Sequence, residues 1–471
     1  MGIVTRDRPR SLAACLSSYA ANCERYGRSP EFVVADDSNS AESAERARAA
    51  VQAIAGPCQA RLRYAGVAEK RGFAERLAAE SGVPPELIGF ALAGDQRCTI
   101  STGANRNSLL LDTVGKLTLA VDDDTVAKIA TLPGHDSAAS SFPGFDPTEF
   151  WFFQDHDSAL GALSRLDIDL LGCHEGLLGS ESAAGGHVVM TLHGLVGDSG
   201  MASPRHYLTL TGGSRERLVA SPESYRSAFR SREVVRTVRR PTIVRGSFCM
   251  STFLGLDQRR LLPPFFPVQR NSDGIFGQTL YKCLDRAHTA FLPWTLLHSP
   301  DPPRRFSPED LWGAAARLRM SDLVIAAILG KESPAEAATT AARLIDLGKH
   351  LEWLGGLNAV DFEDQLRAVQ EYRNFGLMTT LHGQLQTYGR APAYWAEDVE
   401  RMIELTSQAP RAEDYLAPAD LPRGLDAADT IRLAQELIRK YGALLQAWPA
   451  LFDAAARLAQ QGRRLSAPLR H

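Results

Sequence analysis

The sequence predicts an α/β protein followed by an all-α C-terminal region. Three observations carry this. Short apolar runs alternate with helical stretches over residues 1–124, the pattern of a mostly parallel sheet covered on both faces. Ser299-Pro300-Asp301-Pro302-Pro303 holds too many prolines for a helix to cross it. Beyond that point nearly every segment carries apolar residues at helical spacing.

In chain order, Ile3–Thr5 is the first expected strand and Pro9 to about Tyr26 the first helix, with Pro9 in the first turn, where a missing N–H costs little. Phe32-Val33-Val34-Ala35 is a second strand ending in Asp36-Asp37-Ser38. Ser38, Asn39 or Ser40 can cap a helix running to about Ile54. Leu62–Ala65 is a third strand, Asn105–Val114 a helix, and Leu117–Val121 a strand that runs into Asp122-Asp123-Asp124. Residues 125–240 are mixed, with aromatic Phe150–Phe153 and glycine-rich Gly172–Gly200, and are expected to be an insertion lining or covering a site. Strand signals return at Thr242–Val244 and Phe248–Phe253, then a turn-rich stretch leads through Leu262–Pro267 to Arg270–Gly274. Ser307-Pro308-Glu309-Asp310 and Ser333-Pro334-Ala335-Glu336 read as helix starts with capping boxes. Leu344, Leu347, Leu351 and Leu354 share one helical face, as do Ile431, Ala434, Leu437, Ile438, Tyr441, Leu444, Leu445 and Trp448. Such stripes require partners to bury them.

The 471 residues are 44% hydrophobic and 23% charged, enough for a substantial core. A net charge of −3 excludes the basic surface that nucleic acid demands. Seven scattered cysteines, with no CxxC pair, point to a reducing compartment. The first residues lack a signal peptide's apolar stretch, and no run approaches the ~20 apolar residues of a membrane span. A cytoplasmic protein is expected, and the abundance of Ala, Arg and Gly suggests a bacterium of high GC content.

The strongest chemical signal is Val121-Asp122-Asp123-Asp124 at the end of an apolar strand. Ligands of open α/β sheets bind at the carboxyl ends of strands. Adjacent carboxylates repel one another unless a cation intervenes. Mn²⁺ or Mg²⁺ can bridge one or two carboxylates to diphosphate oxygens and, as a Lewis acid, stabilise a departing nucleotide diphosphate. The competing reading of the triplet is a solvated acidic turn.

At this point the chain resembles the GT-A fold glycosyltransferases, particularly the family 2 type. Four pieces match in order: Ile3-Val4-Thr5-Arg6-Asp7-Arg8-Pro9, Val33-Val34-Ala35-Asp36-Asp37-Ser38, Gly103-Ala104-Asn105-Arg106-Asn107 and Asp122-Asp123-Asp124. They cover roughly the first quarter of the chain. The resemblance implies a Rossmann-like catalytic domain over 1–304, with the insertion at about 125–240, and a helical domain over 306–471. It puts Thr5, Arg6, Asp37, Arg106, Asp122 and Asp123 on the donor, Asp37 at the base and Asp122 at the ribose. Asp124, with Asp122, would hold the metal. Gly246-Ser247-Phe248 resembles the glycine-containing loop that admits donor sugar or acceptor, which adds Gly246 to the donor side. Asn271-Ser272-Asp273 stands where these enzymes carry an x-Glu-Asp motif, with Ser272 in place of Glu. Asp273 is the candidate general base of an inverting transfer; it can equally cap a helix starting near Gly274. His298 matches a histidine that completes the metal shell, against the plainer reading of a structural histidine.

The expected function is transfer of a sugar from a nucleotide-diphosphate donor, UDP by default, to an acceptor hydroxyl of unnamed identity. The helical region is expected to form a homodimer or to hold a peptide or glycan acceptor. Two alternatives stay open: a sugar nucleotidyltransferase, which should carry a glycine-rich basic loop where Thr5–Pro9 stands, and a non-catalytic nucleotide-sugar-binding protein, which Ser272 keeps open. Other motifs are set aside. Gly197-Asp198-Ser199-Gly200 lacks the context of a protease nucleophile, and Cys173-His174-Glu175 with His187 and His193 fits no closed zinc spacing. Gly185-Gly186-His187 reads as a turn. There is no phosphate loop of the GxxxxGK[ST] type. Arg226, Arg230, Arg232, Arg236, Arg239 and Arg240 are expected on one solvated face of a helix, with gripping of diphosphate or an anionic acceptor as the lesser option.

Overall fold

The structure is a computed structural model and describes residues 1–58, 61–134, 136, 138–181, 185–246, 248–312, 317–332, 339–411 and 414–469. The first 124 residues alternate as the sequence predicts: β1 (Gly2–Thr5), α1 (Pro9–Arg25), β2 (Glu31–Asp36), α2 (Ala41–Cys58), β3 (Arg61–Ala65). Then come α3 (Val67–Ser81), α4 (Pro85–Ala93), α5 (Thr102–Asp112) and β4 (Leu117–Asp122). Pro9 opens α1, and Ser40 caps α2, its Oγ accepting from the N–H of Ser43 at 3.1 Å. Helices α3 and α4 occupy a stretch for which the sequence reading proposed no element.

β2 and β4 flank β1 in parallel, and β3 lies parallel outside β2. The chain therefore runs outward from β1 to β3 and returns on the other side as β4. That return makes a topological switch point between β1 and β4, where open α/β sheets bind ligands. Thr5 and Asp122 stand there at adjacent carboxyl ends.

The middle of the chain supplies β5 (Thr125–Thr131), β6 (Ser140–Phe142), β7 (Glu149–Phe152), α6 (His156–Gly161), β8 (Ser164–Arg165), α7 (Leu170–Glu175) and β9 (His187–Asp198). There follow α8 (Gly212–Leu218), α9 (Pro222–Ala228), β10 (Glu233–Thr237), β11 (Thr242–Val244), β12 (Phe253–Asp257), α10 (Ser272–Cys283) and β13 (Ala287–His298). Among the described residues the sheet continues from β4 through β12, β9, β13 and β11 to β6. β12 runs antiparallel to β4 and β9, while β13 runs parallel to β9 and antiparallel to β5. The stretch 125–240, expected as an insertion, thus contributes β9 to the interior of the sheet as well as peripheral elements.

Two local expectations are corrected. The strand expected over Phe248–Phe253 begins only at Phe253, because 248–252 form a loop. The arginines from Arg226 to Arg240 do not share a helix face: α9 ends at Ala228 and Glu233–Thr237 is β10. Arg232, just before β10, pairs with Asp198, and Arg236 within β10 pairs with Asp146.

The C-terminal helices are α11 (Pro308–Trp312), α12 (Met320–Gly330), α13 (Thr340–Gly355), α14 (Ala359–Thr387), α15 (Ala393–Gln408) and α16 (Ala427–Gln460), followed by β14 (Ala467–Pro468). The capping box at Ser307 forms, with its N–H on Asp310 Oδ2 at 2.8 Å and the N–H of Asp310 on Ser307 Oγ at 3.3 Å. The box expected at Ser333-Pro334-Ala335-Glu336 lies outside the described residues. The stripes of α13 and α16 are buried, apart from the partly buried Ile431, and each of their leucines contributes roughly 1.5–3 kcal/mol on leaving water. Their core is not separate. Leu344, Leu351, Tyr441 and Trp448 pack in one cluster with Phe73 of α3 and Leu254 of β12. Trp448 Nε1 donates to the Leu262 carbonyl at 2.8 Å, and β14 extends the sheet antiparallel to β3. The helices so frame the α/β layer. Among the described residues no helix is long and apolar enough to cross a membrane.

Candidate functional site

At the switch point a crevice of about 730 Å³ opens over the carboxyl ends of β1 and β4. Its floor is held by Asn105 of α5, whose Nδ2 donates to the carbonyls of Thr5 (3.2 Å) and Ala35 (2.9 Å). Lys70 Nζ donates to Asn105 Oδ1 at 2.8 Å, so β1, β2 and α3 are tied at one point. The first turn of α5 reaches this position because Gly103 carries no side chain: a Cβ there would lie 1.8 Å from the Phe266 carbonyl oxygen.

The expected donor-side residues Thr5, Arg6, Asp37, Arg106, Asp122 and Asp123 all line this crevice. Asp37 is gripped by Lys70 Nζ and Ser101 Oγ, each at 2.5 Å. Arg6 Nη1 donates to the Thr99 carbonyl at 2.5 Å, and Arg106 Nη2 donates to Asp122 Oδ1. Thr5 Oγ1 donates to Asp123 Oδ2 at 2.7 Å. Burial first, then the charge of Asp124, pushes Asp123 up to about 7. Burial likewise raises Asp122, against the opposing pull of Arg106.

Sheet register brings His298 to Asp124. β5 and β13 pair Thr125 with His298, and β13 and β9 pair His298 with Gly197. His298 Nε2 therefore faces Asp124 Oδ1 at 3.4 Å, while its Nδ1 lies 2.5 Å from the Asp198 carbonyl. A carbonyl only accepts, so Nδ1 carries a proton, and Nε2 is the ring nitrogen turned to the carboxylate. Asp124 Oδ1 is buried without a hydrogen bond, whereas Oδ2 accepts from Arg8 Nη1 at 2.9 Å. Burial opposes ionisation of Asp124, yet His298 and Arg8 hold its carboxyl well below the usual carboxylate range. The same contact raises His298 despite its burial.

A carboxylate oxygen facing a histidine ring nitrogen can share a divalent cation in place of a proton, and a ligating histidine ordinarily donates its other N–H to a carbonyl or carboxylate, as His298 does. Asp122 is turned to Arg106. Among the described residues no three His, Cys, Asp or Glu side chains already stand as a ligand set.

Asp273 also lines the crevice. Its Oδ2 accepts from the N–H (3.2 Å) and Oγ (3.3 Å) of Ser251, and its Oδ1 from the N–H of Gly274 (3.0 Å). The position before α10 belongs to Asn271, so Asp273 sits inside the first turn and is not the cap. Gly246 is buried against Phe145 and does not line the crevice; Ser247 lies outside the described residues, and Phe248 does reach the wall. The sequence reading assigned no role to Arg8, Arg270, Arg304 or Arg319, all of which line the crevice. Arg8 and Arg270 carried a signal, one ending the β1 loop and the other preceding Asp273; Arg304 and Arg319 follow the proline boundary and carried none.

The motifs set aside have structural tasks. Asp198 pairs with Arg232 (3.1 Å) and Arg304 (3.0 Å). His174 and His193 lie buried against Trp294, with His174 Nδ1 2.7 Å from Thr191 Oγ1. No protein-family model matches the chain, and no curated protein or solved structure does either.

Proposed function

We propose that this chain is a glycosyltransferase that moves a sugar from a nucleotide-diphosphate donor to an acceptor hydroxyl, with Mn²⁺ or Mg²⁺ as cofactor. The observation that carries the reading is Asp124 Oδ1, buried without a hydrogen bond and facing His298 Nε2 at 3.4 Å beside a switch-point crevice. Asp124 and His298 would hold the ion, with Asp122 the nearest further carboxylate. When bound, the ion supplies Lewis-acid stabilisation of charge on the leaving diphosphate. The chain's own groups do the rest. Asp37, fixed by Lys70 and Ser101, presents a carboxylate to the base of the donor, UDP being favoured. Arg8 and Arg106 offset the Asp triplet, which would otherwise repel a diphosphate.

Asp273, oriented by Ser251, takes the proton of the acceptor hydroxyl as that oxygen attacks the anomeric carbon. The bond from that carbon to the diphosphate oxygen breaks, and the nucleotide diphosphate leaves with the electron pair. Inversion follows from the resemblance to GT-A enzymes. Arg319, Ser321 and Asp322 at the start of α12 border the crevice, which supports acceptor holding as the role of the C-terminal helices.

The test is a thermal-shift screen of nucleoside diphosphates and nucleotide sugars with Mn²⁺ and with chelator. At a ligand concentration 100 times its Kd, stabilisation of about 2.7 kcal/mol is expected. A panel in which no nucleotide raises the Tm in either condition overturns the reading.

A further inference from the structure

We infer that the acceptor carries a phosphate-like anionic group, seated by Arg270 and Arg319 on the side of the crevice from which Asp273 projects. This deepens the proposed transferase reading and rests on it for the word acceptor. Both guanidiniums line the crevice, and neither has a hydrogen bond or ion pair with the described residues. The cations near the Asp triplet are already committed, Arg8 to Asp123 and Asp124, Arg106 to Asp122. Arg304 is committed to Asp198. Arg270 and Arg319 are what remains for a ligand's charge.

The backbone around Arg270 is held at a cost. Gln269 (φ 66°) and Asn271 (φ 65°) both adopt the left-handed conformation that non-glycine residues avoid. Such strain, of order 1–3 kcal/mol per residue, persists where surrounding structure enforces it and clusters at ligand clamps. Here it flanks Arg270, one of two crevice guanidiniums without a hydrogen bond or ion pair to the described residues. Crowding is the second sign. Partial desolvation, with the guanidiniums of Arg304, Arg232, Arg8 and Arg319, lowers the pKa of Arg270. Arg8, Arg232 and Arg304 have carboxylate partners, so the charge left for an anion arriving with the substrate is that of Arg270 and Arg319.

Two helix starts add donors. The crevice wall includes Ser272 at the start of α10 and Ser321 in the first turn of α12, and the hydroxyl of Ser321 makes no hydrogen bond to the described residues. The first turns of a helix leave N–H groups unsatisfied and favour negative charge. Arg270 lies three residues before Asp273. Both residues line the same crevice, so an acceptor held by its anion at Arg270 shares that crevice with the base.

The probe is inorganic phosphate, titrated calorimetrically into the whole chain with and without saturating UDP and Mg²⁺. Wild type is expected to bind phosphate in both conditions. Arg270→Gln and Arg319→Gln are each expected to weaken phosphate at least about tenfold while changing UDP affinity less than about twofold, since a bond to a charged group is lost only at the anion site. Arg270→Lys should recover part of the affinity. Absence of phosphate binding to wild type, or unchanged affinity in both glutamine variants, overturns the inference. So does displacement of phosphate by UDP, which assigns the arginines to the donor diphosphate. If UDP does not bind wild type but phosphate still binds through both arginines, the donor reading falls and the anion site stands.

Discussion

Asp124 and His298 meet at 3.4 Å, Oδ1 to Nε2, because β5 and β13 pair Thr125 with His298. A histidine 174 residues downstream is delivered to the aspartates by register alone. His298→Phe should keep the buried ring and remove the ligand nitrogen. Mn²⁺ affinity is then expected to fall by at least about 10–100-fold, the loss that even an outer-shell partner of a metal ligand produces. Manganese titration followed by electron paramagnetic resonance reads this directly, and unchanged affinity would remove His298 from the site.

Asp273→Asn leaves a side chain that can still accept from Ser251 but takes no proton. Transfer should drop by about 10²–10⁴-fold, the usual worth of a positioned base, with UDP affinity unchanged. A loss of UDP binding instead would place Asp273 on the donor side.

Asp198 is a structural anion. It is buried and holds Arg232 at 3.1 Å and Arg304 at 3.0 Å. Asp198→Ala strands the buried Arg232, while the partly exposed Arg304 recovers water. Removing one partner of a buried pair costs about 3–5 kcal/mol, so the urea midpoint should fall sharply with the slope unchanged. A midpoint shift worth less than about 1 kcal/mol would show that the pair contributes no more than a surface one.

The His174 and His193 pair makes stability depend on pH. Burial pushes His174 down to about 3, and burial with His174 nearby holds His193 well below its ordinary value. Above about pH 6.5 both stay neutral folded and unfolded, and stability is full. Below it the unfolded chain takes up protons that the folded chain refuses. Stability should then fall towards about 1.4 kcal/mol per pH unit for each histidine. His193→Phe, which keeps the ring against Trp294 and Phe253, should flatten that slope between pH 6.5 and 5. Identical slopes in the two proteins would contradict this.

The parallel part of the sheet was legible because β1, β2 and β4 are apolar runs ending in polar residues, with helices between. So was the convergence of Thr5, Arg6, Asp37, Arg106 and the Asp triplet, since strand ends fix those positions. β9 and β13 were not legible as strands. Both are buried on two faces and lack period-two alternation. Pro293 interrupts β13 at a register shift between Leu292 and Thr295, and Gly194 and Gly197 break the apolar run of β9. One of those glycines is structural: a Cβ at Gly194 would lie 2.4 Å from the Arg236 carbonyl oxygen. The arginine-lined wall went unassigned for a different reason. Arg270, Arg304 and Arg319 come from a strained loop, a proline-rich link and a helix start, which only tertiary packing brings together.

In the proposed transferase, a divalent ion at Asp124 would join the chain to a nucleotide diphosphate. Calorimetric titration of UDP into wild type and Asp124→Asn, each with Mn²⁺ and with chelator, tests it most directly. Wild type is expected to bind UDP at least about tenfold tighter with Mn²⁺, and the variant to show no metal dependence, because the ion would be held between the Asp124 carboxylate and the diphosphate. Equal UDP affinity of wild type in Mn²⁺ and in chelator, or a metal response that survives in Asp124→Asn, would contradict it.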